Sequence, residues 1–135
     1  MIRKGFSFAE TLIVGSLFAL AVLLGTLLLS GERARTRDAK RIADMTRVAG
    51  AMAVLYAQQA SYASAAQGCA KIGDAASACT FAAAPGWGEL QDPGRFSYTV
   101  VRVPDGDDFG VRFRLERNYG PLRAGPHVVT KTGIH

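Results

Sequence analysis

The sequence predicts an α+β protein in which a long N-terminal helix packs on a small antiparallel β-sheet. Residues 11–30 contain no charged side chain. Apolar residues then recur at steps of three and four as far as Ala60, which is the period of a helix with one buried face. Beyond Arg95 the period changes to two, which is typical of half-buried strands. The total length leaves room for one small folded domain after the apolar segment.

The uncharged segment has the length and composition of a transmembrane helix. At about 1.5 Å per residue it crosses a hydrocarbon layer of about 30 Å. Glu10 begins this segment, and an unpaired carboxylate in lipid costs roughly 2.5 kcal/mol or more, so a cationic partner is expected. Cleavage after Gly5 would free an amino group at Phe6, one helical turn from Glu10.

The first ten residues resemble the signal of a known family. Arg3-Lys4-Gly5 followed by Phe6, with Glu10 at the fifth position of the apolar segment, resembles the prepilin leader of type IV pilins and of type II secretion pseudopilins. The resemblance implies a pilin-like fold, cleavage between Gly5 and Phe6 by the prepilin peptidase, N-methylation of Phe6, and Glu10 as the assembly glutamate. The chain departs from the common pattern at Leu27, where many pilins have a proline that kinks the helix.

The resemblance also implies a division of the chain and a function. Residues 1–5 would be the leader, 6–30 the transmembrane and assembly helix, 31–60 its amphipathic second half, and 61–135 a globular head. The chain would be a structural subunit of a type IV pilus or pilus-like filament. The alternatives are a type II secretion pseudopilin, a minor pilin for DNA uptake, and a simple membrane-anchored binding domain.

The partners and location follow from the same resemblance. Expected partners are other copies of the chain and related pilins, the prepilin peptidase, the inner-membrane assembly platform, and membrane lipid before assembly. The chain would lie in the inner membrane first and in an extracellular or periplasmic filament afterwards. We expect no cofactor and no enzymatic activity, because no histidine accompanies a nucleophile and base and no glycine-rich phosphate loop occurs.

Other interpretations of the N-terminal segment remain open. A secretory signal peptide has a shorter apolar region and seldom opens with an acid. A plain membrane anchor explains the length but leaves Glu10 and the Lys4-Gly5 step without a role, and a buried core helix is the third alternative. Because more Lys and Arg follow the segment than precede it, counting positive charges would place the C-terminal part in the cytoplasm. The prepilin-like signature and the cysteines outweigh that count.

A basic stretch follows the apolar segment. Its members are Arg33, Arg35, Arg37, Lys40, Arg41 and Arg47, and the acidic residues Glu32, Asp38 and Asp44 interrupt it. We interpret it as a solvated helix face near lipid headgroups, in which Asp44 pairs with Lys40 or Arg41 along the helix. Nucleic-acid contact is the alternative, because clustered arginines neutralise phosphates, but no aromatic residues are interleaved to stack on bases.

The two cysteines predict a disulfide. Cys69 and Cys79 are ten residues apart in a chain with an export signal, and pairing would close a small loop. Two free thiols remain the alternative. No metal site is expected, because zinc needs more ligands than these cysteines and the distant His127 and His135. Residues 75–84 favour a short helix. We expect the Trp87 side chain to pack as a hydrophobic plug between the loop and the sheet.

The C-terminal part predicts a meander of three or four strands. Residues 96–101 alternate, 104–108 form a turn, 109–116 alternate again, and 127–131 offer a third strand. The turn carries Asp105, Asp107 and Asp108, and these carboxylates suggest either a common Asp-Gly turn, which we favour, or a calcium site.

Overall fold

The computed structural model describes residues 7–79 and 90–135. The proposed cleavage and methylation site at Gly5 and Phe6 and the proposed plug Trp87 lie outside these residues. The chain divides into two compact units, Met1–Ala34 and Arg35–His135.

A single helix, α1, runs from Phe8 to Gln59, close to the bounds that the periodicity predicts. At its start the backbone N–H of Ser7 donates to Oε2 of Glu10 at 2.7 Å, which is one half of a capping box. At its end Ala60 takes a positive φ of 52° and donates its N–H to the carbonyl of Tyr56 at 2.8 Å. The left-handed residue stops the helix by turning the chain away.

Four antiparallel strands form a meander in the order β1-β2-β3-β4. Their bounds are Thr99–Arg102, Gly110–Leu115, Gly125–Thr130 and Gly133–Ile134. Val111 pairs with Val129, and Phe113 pairs with His127. The structure therefore confirms the layout of a long helix on a small antiparallel sheet, and it has the larger of the two predicted strand numbers.

The core lies between the second half of α1 and the inner face of the sheet. Met45, Val48 and Met52 project from α1 at helical spacing and are fully buried. Inward-facing residues of β1, β2 and β3 meet them, because a strand presents every second side chain to one face. These sheet residues are Val100, Val111, Phe113, Leu115 and Val129.

A disulfide closes the loop between the helix and the sheet. Cys69 and Cys79 are bonded, with their Cα atoms 4.8 Å apart, as the cysteine spacing predicts. The segment within the loop bonds to the outer edge of β1, since the N–H of Gly73 donates to the carbonyl of Val100 at 2.7 Å and the N–H of Val100 donates to the carbonyl of Asp74 at 2.9 Å. The loop thus covers the edge of β1 that faces away from β2.

Two sequence predictions need correction in this region. The helix predicted over 75–84 is a single 3₁₀ turn, Ala76–Ala78, and residues 80–84 lie outside the described part. The turn ends because Cys79 takes an extended conformation, which brings its sulfur to Cys69. The first strand begins at Thr99 and not at Phe96, because hydrogen bonds to Asp92 hold the chain before it in a turn.

We predict that loss of the disulfide lowers the stability of the Arg35–His135 unit. The Cys69→Ser/Cys79→Ser variant should lose about 2–3 kcal/mol in free energy of unfolding, because an open loop of this size gains entropy when unfolded. Urea unfolding in non-ionic detergent, followed by near-UV circular dichroism, measures the change. Reductant should destabilise the wild-type chain by a similar amount and leave the double variant unchanged; an equal effect on both would contradict the prediction.

Candidate functional site

The first unit presents an apolar surface to its surroundings. None of the apolar window of α1 is buried within the chain, and the helix is long and apolar enough to cross a membrane. Its large side chains are more than half exposed, a state that costs free energy in water and none in lipid. They include Leu12, Ile13, Val14, Leu17, Phe18, Leu20, Leu23, Leu24, Leu27, Leu28 and Leu29.

Glu10 lies at the N-terminal end of this surface. Its Oε2 accepts the hydrogen bond from the N–H of Ser7, and its charge is placed where the helix dipole is positive. The spacing Ser7-x-x-Glu10 is the sequence signature of this cap, and it marks a helix start that the apolar pattern alone does not define. Glu10 therefore has a local structural role in addition to the proposed assembly role.

The second unit is organised by a buried ion cluster centred on Arg41, which has no exposed surface. Its Nε and Nη2 donate to the two carboxylate oxygens of Asp92 at 2.5 and 2.9 Å. Its Nη1 donates to Asp38 at 2.8 Å and to Glu116 at 2.7 Å. One guanidinium thus joins α1, the loop before β1 and the residue after β2.

The carboxylates of the cluster also hold backbone groups. Asp38 accepts the N–H groups of Glu116 at 2.9 Å and Arg117 at 2.8 Å. Asp92 accepts the N–H of Gly94 at 2.8 Å. A Cβ at Gly94 would lie 2.9 Å from Nη2 of Arg41, so a larger residue there would displace the buried guanidinium. The loop and the end of β2 are therefore fastened to the helix at one point.

A second polar contact lies one helical turn further along α1. Asp44 accepts from the Tyr98 hydroxyl at 2.9 Å and from Lys40 Nζ at 2.9 Å. The pairing of Lys40 with Asp44 is one of the two that the helical spacing predicts. Burial raises the pKa of Tyr98, and the neighbouring Asp44 carboxylate raises it further, so Tyr98 stays a neutral donor.

The cluster is a set of charges that stabilise one another. Burial opposes the charge of Arg41, but its hydrogen bonds to Asp92, Glu116 and Asp38 more than offset this and raise its pKa. Burial likewise raises the pKa of Asp92, yet the hydrogen bond from Arg41 lowers it below its usual value. The hydrogen bond from Arg37, with further help from Arg41, lowers the pKa of Glu116 to about 2. No buried side-chain polar atom of the described residues lacks a partner.

The structure corrects our interpretation of the basic stretch. Arg41 is buried and fully paired, so it is not available to DNA or lipid, and it is not part of a solvated face. Arg37 is engaged with Glu116 through two hydrogen bonds of 2.8 and 2.6 Å. Arg33 and Arg35 are exposed and remain candidates for lipid or nucleic-acid contact, and Lys40 is partly exposed. Sequence reasoning missed the cluster because two of the three partners of Arg41, Asp92 and Glu116, lie far away in the chain.

The acidic turn before β2 is held by its own side chains. Asp105 accepts the N–H groups of Asp107 and Asp108, both at 2.8 Å, and Asp108 pairs with Arg102. This is the arrangement of an Asx turn. Across residues 7–79 and 90–135, no group of three or more His, Cys, Asp and Glu side chains is placed to hold a metal ion.

Comparison with known proteins identifies no relative: no family model, no curated protein and no solved structure matches the chain.

We predict that removing the central guanidinium strongly destabilises the second unit. Arg41→Met leaves three carboxylates without their shared cation, and breaking a buried ion cluster in this way costs about 3–5 kcal/mol. Urea unfolding of the full chain in detergent measures the loss. Arg47→Met is the matched control on the same helix, because the Arg47 side chain is 64% exposed, and it should change stability by less than about 0.5 kcal/mol. Equal effects of the two substitutions would refute the structural role of the cluster.

We predict that acid destabilises the fold in part by protonating Glu116. Because its pKa in the folded chain is lowered to about 2 from an ordinary value of 4.5, Glu116 stabilises the fold fully above about pH 4.5 and stops doing so as the pH falls through about 2. Glu116→Gln should therefore cost about 1–3 kcal/mol at neutral pH and progressively less on acidification.

The measurement is urea unfolding of both chains at a series of pH values. Asp107→Asn is the control, since the Asp107 side chain is exposed and its substitution removes one carboxylate outside the cluster. A difference between wild type and Glu116→Gln that stays constant with pH would contradict the assignment.

Proposed function

We propose that the chain is a structural subunit of a type IV pilus-like filament that polymerises through the first half of α1. The observation that carries this proposal is the exposed apolar surface of α1 with a single carboxylate, Glu10, at its start. A plain anchor needs the surface but not the acid. A filament subunit needs both.

The apolar surface supports residence in two environments. Lipid covers it in the membrane, and copies of the same helix would cover it in a filament. Because lipid tails are as apolar as these side chains, the exchange has little hydrophobic driving force, and close packing and polar contacts must supply the specificity. Glu10 provides such a contact if its partner is the Phe6 amino group of a neighbouring copy.

The same proposal covers processing and location. The prepilin peptidase would cut after Gly5 and methylate Phe6, and the assembly platform of the inner membrane would then draw the chain into the filament. The Arg35–His135 unit would lie outside the cytoplasm, and the Cys69–Cys79 disulfide supports this, because such bonds persist in oxidising compartments. The chain is in this view a substrate of enzymes and not an enzyme.

The decisive experiment separates the charge of Glu10 from its capping role. Glutamine can fill the same position of a capping box, so Glu10→Gln keeps the helix start and removes only the charge. We expect the variant to insert in the membrane and to be cut after Gly5, as intact mass and N-terminal sequencing would show, but to yield no filaments in sheared and pelleted fractions.

Two further variants act as controls. Glu10→Asp keeps the charge on a shorter side chain and should retain part of the filament yield, whereas Glu10→Ala loses both charge and cap and should yield none. Wild-type filament yield from Glu10→Gln would show that the charge has no assembly role. A chain that retains Met1 after membrane extraction would favour the alternative of a permanently anchored binding domain.

A further inference from the structure

The imidazole ring of His127 lies between two main-chain oxygens. His127 is on β3, and its ring stacks on Phe113 of β2 with the ring centroids 5.7 Å apart. Its Nε2 lies 2.7 Å from the oxygen of Arg123, in the loop before β3. Its Nδ1 lies 3.0 Å from the oxygen of His135, which follows β4. One ring therefore reaches both the entry to β3 and the residue beyond β4.

Both oxygens accept hydrogen bonds and donate none. The oxygen of Arg123 is a peptide carbonyl, and the main-chain oxygen of His135 is a carbonyl within a chain or a carboxylate at a terminus, neither of which donates near neutral pH. A neutral imidazole has one N–H group and one bare nitrogen, so it satisfies one oxygen and turns a lone pair towards the other. The imidazolium ion has two N–H groups and satisfies both. The geometry is therefore that of the charged ring.

The charged groups of the neighbouring elements give His127 no carboxylate partner. No ion pair among the described residues involves His127. On α1, Asp38 and Asp44 are bonded to other groups. On β2, Arg112 and Arg114 lie on the opposite face of the sheet, because side chains alternate along a strand. The arginine charges oppose protonation of the ring, whereas the two main-chain oxygens favour it.

The remaining cationic and titratable groups beside the ring keep their contacts in either state of charge. Arg123 is exposed. Lys131 donates through Nζ to the main-chain oxygen of Asp107 at 2.9 Å. The Nε2 atom of His135 lies 2.7 Å from the hydroxyl of Thr132, and a hydroxyl both donates and accepts, so this contact survives the loss of a proton. His127 is thus the histidine whose contacts depend on its charge.

The contact that a neutral ring gives up is the one to His135. The oxygen of His135 also accepts the N–H of Val128 at 3.0 Å, and the N–H of His135 donates to the oxygen of Val128 at 3.0 Å. His135 therefore keeps a donor when the ring turns a lone pair towards it. These two bonds extend the pairing of β3 with β4, which has only Gly133 and Ile134. Because β4 is the outermost strand, a loss here loosens the edge of the sheet.

We propose that His127 is a pH-operated clasp, in which the protonated ring fastens the end of β4 to the loop before β3 and the neutral ring releases His135. Histidine is the side chain that ordinarily changes its charge between about pH 5 and 8. The extra stability of the β3–β4 pairing is therefore present at the acidic end of this range and is lost as the pH rises. An open strand edge can then pair with another strand. The clasp goes beyond the proposed filament function and does not depend on polymerisation.

The test is nuclear magnetic resonance of the full ¹⁵N-labelled chain in non-ionic detergent between pH 5 and 8. Long-range ¹H–¹⁵N correlations count the protons on each imidazole ring. Amide hydrogen exchange, expressed as a protection factor that corrects for the intrinsic effect of pH, reports the pairing of Val128 with His135. We expect these two amides to lose protection about tenfold as His127 loses its proton, because one hydrogen bond is lost. The amide of Val111, in the centre of the sheet, should stay within about twofold.

Two variants assign the effect to one ring. His127→Gln has no charge at any pH, so its Val128 and His135 amides should have at pH 5 the low protection that wild type has at pH 8. His135→Gln is the matched control, because it removes the other histidine and keeps the main-chain oxygen, and it should retain the tenfold loss. Near-UV circular dichroism checks that both variants are folded.

Three results would overturn the proposal. The first is a pH-dependent loss of protection in His127→Gln as large as in wild type. The second is disappearance of that loss in His135→Gln, which would assign the effect to the other ring. The third needs no variant: if the wild-type His127 ring loses its proton while the protection of Val128 and His135 stays constant, the ring does not hold β4.

Discussion

The fold of the second unit depends on compensating one buried positive charge. A guanidinium without access to water is tolerated only when carboxylates surround it, and Arg41 draws these from its own helix, from the loop before β1 and from the end of β2. Each carboxylate comes from a different segment, so compensating the charge also fixes where the segments meet. Apolar side chains of similar volume could fill the space, but their contacts carry no requirement that these three segments meet at one point.

The sequence predicted the features that arise from local periodicity. The bounds of α1 follow from apolar residues at helical spacing, and the faces of β2 follow from alternation between Phe113 or Leu115 and the arginines between them. The membrane-length segment is equally local, because it depends on composition alone. The disulfide was predicted because the two cysteines lie ten residues apart in a chain whose N-terminus resembles an export signal. None of these inferences needed knowledge of which distant residues meet.

The polar interior was not predicted, for a physical reason. Arg41 is separated from Asp92 by 51 positions and from Glu116 by 75, and charged residues on a helix are most often solvated. Two local signals were nevertheless present. Asp38 and Arg41 are three residues apart on α1, a spacing at which helical side chains can pair. In the segment Asp92-Pro93-Gly94 a carboxylate is followed by a glycine, which leaves room for a bulky neighbour.

The Cys69–Cys79 loop covers the edge of β1 that faces away from β2. An uncovered strand edge is a template for pairing with other chains. The disulfide tethers the covering segment, so its reduction would leave only the backbone hydrogen bonds to hold the cover in place. The bond therefore protects the sheet against association through its edge in addition to stabilising the loop.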